Sequence, residues 1–382
     1  MQPIERELAN AGLPDLGRTA WVEVETTRLV SNARILADLV APSELGVVVK
    51  ADGYGHGLEV AARCAVHGGA TWLCVATLPE ALRLRSDGYR GRVFVLYPIP
   101  SGAVDLASRQ MIDVSVSTRA DVTAISEAPA LAVHLEVDTG MTRGGCPPRE
   151  VDDLVDRIRS SRAELKGIWT HLAVPENPRA TAIQVETFAQ IVAGLDGDIE
   201  MRHLAASGGL LAADLTGQTL VRAGLVYYGH DPDVGVALPT GLKPALEVRA
   251  HPVRIASVPA GTGVGYSSTW RATRSSRIAT IPMGYADGWS RSLSPGADVL
   301  VGGRRVPLVG RVSSDAITVD VTEVPGVDAG TVVCVMGSQD GSTITADEVA
   351  EFVVVGRPNV RNFHHLPGVE DENAVAVGRQ FV

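Results

Sequence analysis

The basic residues of this 382-residue chain include very few lysines: of 34 lysines and arginines, all but three are arginines. The three lysines are Lys50, Lys166 and Lys243. Arginine stays protonated in proteins, whereas lysine can lose its proton and can form Schiff bases with carbonyl compounds. Any chemistry that needs a lysine amine therefore has three candidate residues.

The first 240 residues contain short apolar runs separated by helical patterns. Apolar residues at helical spacing in 148–162 and in 181–194 each predict an amphipathic helix. Strands alternating with helices predict parallel βα units that close into a (βα)8 TIM-like barrel. An open doubly wound sheet is the alternative, which the absence of GxGxxG after the first strand disfavours. The eight predicted strands lie near 47–50, 71–77, 92–98, 112–117, 131–138, 165–172, 199–207 and 219–222.

From about residue 240, short β-rich runs are broken by glycine and proline and long helical patterns are absent. Such a pattern is typical of an all-β domain. The sequence PTGLKP at 239–244 is the expected junction. We therefore expect the barrel to occupy residues 1–240 and a mainly β domain to occupy 241–382. Upstream, TAWVEVE predicts a strand, and TTRLVSNARILADLV predicts a helix that leads into the first barrel strand.

The ends of the predicted barrel strands carry polar residues. The active site of a (βα)8 barrel lies where the strands end. Lys50 ends the first strand and opens a glycine-rich turn, and Arg143 follows the fifth. His171, Ser207 and Arg222 end the sixth, seventh and eighth strands.

Strand placement also separates the three lysines. Burial at the end of an apolar strand lowers the pKa of a lysine toward the range in which its amine is a nucleophile. Lys166 begins a strand at the opposite rim, and Lys243 lies in the predicted junction. Lys50 is therefore the expected reactive lysine.

Composition excludes several classes of protein. The net charge is −10 and no basic block occurs, so a nucleic-acid partner is not expected. No uncharged apolar run reaches the roughly 18 residues of a membrane helix, and the charged N-terminus does not resemble a signal peptide. Four cysteines without a CxxC pair do not form a disulfide framework or a metal motif. We expect a reduced, cytoplasmic protein without a membrane partner.

Eight motifs between about residues 20 and 325 resemble, in family order, those of the alanine racemases. They are VVVKADGYGHG, VDTGMTRGG, THLA, HLAASGG, VRAGLVYYG, VGYSSTWRA, IPMGYADGWSR and GRVSSDAI. The resemblance implies a fold-type III enzyme that uses pyridoxal 5'-phosphate. It further implies a (βα)8 barrel with a C-terminal β domain, a head-to-tail homodimer, and interconversion of L- and D-alanine.

The resemblance also implies which residues bind the cofactor. Lys50 corresponds to the Schiff-base lysine, and Tyr54 to the tyrosine that binds the phosphate. Ser207 and the backbone of Gly224 and Leu225 complete the phosphate site, which barrels of this kind usually place after strands seven and eight.

The pyridine nitrogen of the cofactor is expected to face Arg222, which His171 would orient by a hydrogen bond. Because arginine can only donate, the ring nitrogen should stay unprotonated and the ring should be a weaker electron sink. A weaker sink disfavours side reactions such as transamination.

Racemisation removes the α-proton from one face of the substrate and returns a proton to the other, which two opposed bases do better than one. By resemblance these bases are Lys50 and Tyr266, and Tyr266 would come from the second subunit. A free tyrosine has a pKa of about 10, so nearby cations must help it ionise. Arg143 would hold the substrate carboxylate or the cofactor phenolate. Tyr285 resembles a residue that lines the substrate entry, and Asp315 matches an aspartate near the carboxylate site.

The chain departs from the family at an accessory position. The family often has a lysine, commonly carbamylated, seven residues before the arginine of DTGMxR, and this chain has Glu136 there. A carbamylated lysine is an anion that orients the arginine. We hypothesise that Glu136 replaces it and pairs with Arg143, directly or through water.

Three further departures concern the pocket itself. Ser314 stands where the family has methionine, although its backbone N–H can still bind a carboxylate, and Ala206 stands where the family has asparagine. The C-terminal tail has no equivalent of the family's pocket tyrosine, which Asn359 or Asn362 would replace only in part. These losses predict a roomier or differently polar pocket. The substrate is then a related small amino acid or, in a specialised racemase or epimerase, a non-alanine amino acid.

Three other functions stay open at this point. A fold-type III decarboxylase would share the barrel and lysine but needs a catalytic cysteine in the second domain, and none of the four cysteines has such a context. A non-enzymatic pyridoxal phosphate-binding protein would resemble the barrel alone. A degenerate racemase would keep the fold and the cofactor without turnover.

Overall fold

A computed structural model describes residues 19–197, 199–294 and 296–354. The described chain forms two units, and the division falls between Ala245 and Leu246 rather than after residue 240. Strand β1 (Ala20–Val24) belongs to the C-terminal unit, although it precedes the barrel in sequence. The tail positions Asn359 and Asn362 lie outside the described residues.

Within residues 25–245, eight parallel strands form one sheet in the order β8-β7-β6-β5-β4-β3-β2-β9. Their bounds are β2 (Glu44–Val48), β3 (Trp72–Val75), β4 (Arg92–Val95), β5 (Asp113–Val116), β6 (Ala132–Glu136), β7 (Glu164–Trp169), β8 (Met201–His203) and β9 (Leu220–Ala223). Between the outermost strands, Thr219 N donates to Arg202 O (2.9 Å) and Arg222 N donates to Ala205 O (3.0 Å). These hydrogen bonds join the segments that flank β8 and β9, the two ends of the strand order, so the sheet closes. The predicted (βα)8 barrel is confirmed.

The helices of this unit alternate with the strands. They are α1 (Thr26–Val40), α2 (Leu58–His67), α3 (Leu78–Ser86), α4 (Val104–Arg109), α5 (Arg119–Ile125), α6 (Val151–Arg159), α7 (Pro178–Gly194) and α8 (Ser207–Ala212). The apolar residues that predicted α6 are all buried, as an amphipathic helix on a sheet requires. Helix α7 begins at Pro178 because the Asn177 side chain accepts hydrogen bonds from the backbone N–H groups of Arg179 and Ala180.

The barrel interior is mostly apolar, since strands covered on both faces bury every side chain. A cluster of buried residues fills it, comprising Val48, Trp72, Cys74, Phe94, Trp169, Met201 and Leu220. Three large polar side chains interrupt this interior: His134, His203 and Arg222 are all 1% exposed or less. Burying such groups costs free energy unless each is hydrogen-bonded, so their partners matter.

The C-terminal unit is mainly β, as predicted. Its larger sheet runs β1-β10-β18-β15-β16 with β19 on β18, and a second sheet runs β11-β14-β17. The strands are β10 (Leu246–Ala250), β11 (Arg254–Val258), β12 (Gly263–Val264), β13 (Trp270–Arg271), β14 (Ser276–Ile281), β15 (Asp298–Val301), β16 (Arg304–Pro307), β17 (Ile317–Asp320), β18 (Val333–Gln339) and β19 (Ser342–Ile344), followed by helix α9 (Ala346–Val354). Alternating side chains of both sheets form one buried apolar cluster.

Two further observations concern the whole described chain. No helix in the described ranges has the length and apolar character that a membrane crossing requires. All four cysteines are buried free thiols.

Candidate active site

A cavity of about 450 Å³ lies at the C-terminal ends of the barrel strands. The predicted site residues that line it are Lys50, Tyr54, Glu136, Arg143, His171, Ser207, Arg222, Gly224 and Leu225. They come from separate strand ends, which is how a barrel assembles one site from distant parts of a sequence.

Lys50 begins a turn of unusual handedness after β2. Ala51, Asp52 and Gly53 have φ values of 52°, 55° and 64° with ψ near 40–50°, a left-handed helical conformation, and Tyr54 also has a positive φ of 52°. This conformation costs about 1–2 kcal/mol for each residue other than glycine, so other contacts must hold it. The turn places both Lys50 and Tyr54 on the cavity wall.

Two carboxylates hold this left-handed turn. Glu80 Oε1 accepts a hydrogen bond from Ala51 N (2.7 Å), and Glu80 Oε2 accepts from the backbone of Ala76 (2.9 Å) and Thr77 (3.0 Å). Asp52 Oδ1 accepts from Leu58 N (3.2 Å), which ties the turn to the start of α2. The Glu80 carboxylate thereby joins the ends of two neighbouring strands.

The environments of the three lysines differ. Burial lowers the pKa of Lys50, Arg143 lowers it further, and Glu80 opposes the shift. Lys166 bonds to Glu200, which raises the Lys166 pKa. All three lysines lie in the described ranges, and only Lys50 lines the cavity.

One wall of the cavity gathers hydrogen-bond donors around a glycine. Ser207 Oγ lies 3.0 Å from Gly224 N and accepts its hydrogen bond. A Cβ at Gly224 would lie 3.0 Å from the Tyr54 hydroxyl and 3.7 Å from Ser207 Oγ. Burial raises the pKa of Tyr54 to about 12, so its phenol keeps the proton that it can donate. Converging donors and a space that only glycine leaves open fit a bound phosphate.

Arg222 lies behind this wall and is fully buried. Its Nη1 donates to His203 Nδ1 (2.6 Å), and its Nη2 donates to Thr170 O (2.9 Å). The predicted contact is also present, since His171 Nδ1 accepts from Nη2 at 3.4 Å, but the contact with the His203 imidazole is shorter. Arg222 also lines the cavity, and its guanidinium can only donate, so it suits an acceptor such as a ring nitrogen. The cavity residues therefore fit pyridoxal phosphate.

The Glu136 carboxylate lies beside the loop that carries Arg143. Asp138 Oδ1 fixes this loop by accepting from the backbone N–H groups of Gly140 (2.9 Å) and Thr142 (3.0 Å). A Cβ at Gly144 would lie 2.9 Å from Glu136 Oε2, so glycine makes room for the carboxylate. Burial raises the pKa of Glu136 to about 7, against the opposing effects of Arg222 and Arg143. No direct ion pair joins Glu136 to Arg143 in the described chain.

The remaining predicted residues line a separate pocket of about 290 Å³ in the C-terminal unit. Its lining includes Tyr266, Tyr285, Ser314 and Asp315. Tyr285 N donates to Ser313 O (3.0 Å), which joins the two loops of this pocket. Tyr266 follows Gly265, whose φ is 69°, and is 67% exposed within its own chain.

Sequence reasoning missed several residues of the barrel site. Trp169 lines the cavity and lies beneath the guanidinium of Arg222, with 4.7 Å from Cζ to the ring centroid. His203 accepts a hydrogen bond from Arg222, and Glu80 accepts one from the backbone of Ala51, in the turn that begins at Lys50. Alternation along β7 gave a signal for Trp169, which is two residues before His171. No comparable signal identified Glu80, because its partner is a backbone N–H.

Comparisons with known proteins cover both units. The family model "Alanine racemase, N-terminal domain" matches residues 24–232, and "Alanine racemase, C-terminal domain" matches residues 245–356. The chain is 38% identical over 355 residues to the alanine racemase of Prochlorococcus marinus, which covers 88% of this chain and 92% of that protein.

Solved structures agree. The crystal structure of alanine racemase from E. faecalis superposes with a TM-score of 0.85 at 30% identity, covering 96% of each chain. The histidine racemase of Leuconostoc mesenteroides superposes with a TM-score of 0.84 at 26% identity, also covering 96% of each chain. The matches to both family models, with relatives of this identity and coverage, show that the chain belongs to the alanine racemase family.

Proposed function

We propose that the protein is a pyridoxal 5'-phosphate-dependent racemase that interconverts L- and D-alanine or a related small amino acid. The observation that carries the proposal is the cavity that brings together a lysine of lowered pKa, the hydroxyls of Tyr54 and Ser207 beside Gly224, and the guanidinium of Arg222. A neighbour in the same family, from Bartonella henselae, has covalently bound pyridoxal phosphate. When bound, this cofactor supplies an electron sink next to the substrate Cα, which makes the α-proton acidic.

The cavity residues divide the work of holding the cofactor. Lys50 Nζ would bond to its aldehyde carbon, and Tyr54, Ser207, Gly224 and Leu225 would hold its phosphate. Arg222 would donate to the ring nitrogen. Because the guanidinium keeps its protons, Arg222 would donate to this nitrogen without protonating it.

Two residues of the chain would move the α-proton. Once the substrate amine has displaced it from the aldehyde carbon, Lys50 Nζ would take or give the proton on one face of Cα, and the Tyr266 hydroxyl would serve the other face. Tyr266 is 67% exposed in its own chain, as expected of a group that serves a neighbouring subunit. We therefore propose a homodimer in which Tyr266 completes the site of its partner. Free thiols support a reduced cytoplasmic location.

Arg143 is the proposed anchor of the substrate carboxylate. Glu136 lies beside the Arg143 loop and would orient its guanidinium through water. Tyr285, Ser314 and Asp315 are proposed to form the substrate side of the site, which the partner subunit supplies.

A racemase for a larger amino acid is the second candidate. Ala206 and Ser314 have small side chains and line the barrel cavity and the C-terminal pocket, respectively. The similarity to a histidine racemase shows that this fold also accommodates a larger substrate.

Incubation with a panel of L-amino acids in D₂O, followed by chiral chromatography and mass spectrometry, tests both candidates. We expect the D-enantiomer of alanine with deuterium at Cα, and loss of this product together with the visible cofactor band in Lys50→Ala. Faster conversion of histidine or another larger amino acid would favour the second candidate. Carbon dioxide release without racemisation would identify a decarboxylase, and an intact cofactor band without any conversion would identify a binding protein.

A further inference from the structure

A chain of hydrogen bonds crosses the barrel interior from Arg222 to an acidic residue at the opposite end. His203 Nδ1 lies 2.6 Å from Arg222 Nη1, and His203 Nε2 lies 2.8 Å from His134 Nδ1. His134 Nε2 lies 3.2 Å from Asp113 Oδ2. Asp113 is the first residue of β5, so it lies at the end of the barrel opposite the cavity. Its side chain is 14% exposed.

The donor chemistry of Arg222 fixes every proton in this chain. A guanidinium can only donate, so His203 Nδ1 must accept and His203 must carry its proton on Nε2. His203 Nε2–H then donates to His134 Nδ1, which leaves the His134 proton on Nε2. That N–H donates to the Asp113 carboxylate. The hydrogen bonds therefore all point from the cation toward the anion.

The barrel is built around the two imidazoles. A Cβ at Gly167 would lie 2.4 Å from His134 Nδ1, so glycine leaves the space in which the histidines meet. The Trp169 ring is stacked on His203 at 5.8 Å with an interplanar angle of 3°, and the Phe94 ring lies 4.5 Å from His134. Both imidazoles are fully buried, and this packing holds them in one orientation.

The charge of Arg222 needs such an arrangement. In the described part of the chain, no carboxylate lies within ion-pair distance of its guanidinium. An unpaired buried charge costs several kcal/mol unless hydrogen bonds to it are complete. Burial and Arg222 hold the pKa of His203 well below its usual range, so this histidine is a neutral acceptor. Among the described residues, Glu136 is the other carboxyl that acts electrostatically on Arg222, and its pKa of about 7 makes its charge partial at neutral pH.

We propose that three residues, Asp113, His134 and His203, act as positioning residues for Arg222. Their hydrogen bonds fix the orientation of the guanidinium. The negative charge of Asp113 stabilises the Arg222 cation through the two neutral imidazoles between them. This chain of hydrogen bonds does not transfer protons in turnover. It keeps the Arg222 donor aimed at the cavity and stabilises its charge without a carboxylate at the cofactor ring.

Neutron diffraction of the perdeuterated holoenzyme tests the proton positions directly. We expect one deuteron on each imidazole, at Nε2 of both His203 and His134. A deuteron on His203 Nδ1, or two on either ring, would overturn the proposal. This test does not depend on turnover, so it stands even if the proposed racemase function fails.

Variants of Asp113 test the charge. Asp113→Leu removes charge and acceptor, whereas Asp113→Asn keeps an acceptor oxygen. Glu164→Gln is the control, because Glu164 begins the neighbouring strand β7 with a side chain that is 59% exposed. We expect Asp113→Leu to shift the absorption maximum of the bound cofactor and to lower kcat roughly tenfold at unchanged KM, with a smaller effect in Asp113→Asn.

Circular dichroism and thermal melting first establish which variants fold. A folded Asp113→Leu variant with the spectrum and kcat of the Glu164→Gln control would overturn the charge role. Should Asp113→Leu fail to fold, Asp113→Asn gives the same comparison, and an unshifted absorption spectrum together with unchanged kcat in that variant would count against the proposal.

Discussion

At Glu136, burial and charge act against each other. Burial raises the pKa of this carboxyl to about 7, although two arginines oppose the shift. The cavity histidine His171 does not titrate in this range, because burial lowers its pKa to about 3. Glu136 is therefore a cavity carboxyl whose charge changes around neutral pH.

Glu136→Gln should remove a pH dependence. We expect kcat/KM of the wild type to rise through about pH 7 as Glu136 ionises and orients Arg143, and the variant to lack this rise. Above that pH the variant should be roughly tenfold slower, because a charge-assisted interaction is lost. The measurement is kcat/KM from about pH 6 to 9, with Glu127→Gln, an exposed carboxylate, as the control. Equal profiles for the variant and the wild type would refute the role.

The same variant should change stability in a defined direction. The folded pKa of Glu136 lies above the ordinary value of 4.5, so the folded state favours the protonated carboxyl. Stability from this group is complete below about pH 4.5 and declines as pH rises through about 7. The melting temperature of Glu136→Gln should therefore rise relative to that of the wild type as pH increases from about 4.5 to about 7.

Strand ends and residue types pointed to Lys50, Arg143, His171, Ser207 and Arg222, and the family resemblance added other cavity residues, but neither identified all the partners of these residues. Lys50 stood out because the chain has few lysines and one of them ends a strand. His203 did not stand out, because a buried histidine in a strand has no sequence feature that separates a ligand of Arg222 from an ordinary interior residue. Motif reasoning therefore gave His171 the orienting role, while the shorter contact comes from His203.

At the scale of elements, the left-handed turn after β2 is the feature that sets the position of Lys50. Ala51 and Asp52 have no intrinsic preference for positive φ, so their conformation must be stabilised by contacts. The Glu80 carboxylate supplies such contacts by accepting hydrogen bonds from Ala51 and from the end of β3. Strain at Ala51 and Asp52, directly after Lys50, is thus balanced by a carboxylate that does not line the cavity.

Glu80→Gln tests this balance. Glutamine keeps one acceptor oxygen, but its NH₂ group would face backbone N–H donors. The hydrogen bonds of Glu80 either to Ala51 or to the end of β3 should therefore be lost. We expect a loss of about 1–3 kcal/mol in the free energy of unfolding in urea. We also expect weaker retention of the cofactor on dialysis, because Lys50 and Tyr54 lie on the released turn.

Glu59→Gln is the matched control, because Glu59 pairs with the exposed Arg83 near the same turn and does not contact its backbone. If Glu80→Gln has the same unfolding curve and the same cofactor retention as Glu59→Gln, then Glu80 does not stabilise the left-handed turn.

The strands and helices themselves could largely be predicted, because apolar runs and helical periods depend on local sequence. Strand β8 is shorter than expected, Met201–His203 against 199–207, because its chain turns into α8 at Ser207. The handedness of the turn at Ala51 could not be predicted, since the contacts that impose it come from Glu80.

At the scale of the whole molecule, the predicted site residues divide between two units. The barrel cavity holds Lys50 and the cofactor-binding residues, and the C-terminal pocket holds Tyr266. In the proposed homodimer each site needs Lys50 from one subunit and Tyr266 from the other. Such an arrangement makes defects in the two residues separable.

Mixing two inactive variants should restore activity. Lys50→Ala and Tyr266→Phe are each expected to lose racemisation. After mixing, dissociation and reassociation, random pairing gives half heterodimers with one intact site each, so about a quarter of wild-type activity should return. The measurement is the rate of L- to D-alanine conversion before and after mixing. Absence of recovery, with heterodimers verified by differential tags, would contradict shared sites.

The division into units could be predicted only roughly from sequence. Composition changes near residue 240, but β1 belongs with the C-terminal unit because Ala20–Val24 pairs in register with Leu246–Ala250. Pairing between segments so far apart leaves no local pattern. The sequence pattern therefore placed β1 in the barrel region, residues 1–240.

This pairing has a consequence for biosynthesis. The C-terminal unit receives its first strand from before the barrel, and the barrel begins and ends together, where Glu25 N donates to Ala245 O (2.8 Å). On the ribosome, the barrel segment can complete its own sheet while β1 still waits for β10 to emerge. We infer that the barrel is a nested insertion, that its folding precedes closure of the C-terminal sheet during translation, and that slow synthesis after residue 245 would leave β1 exposed as an unpaired edge.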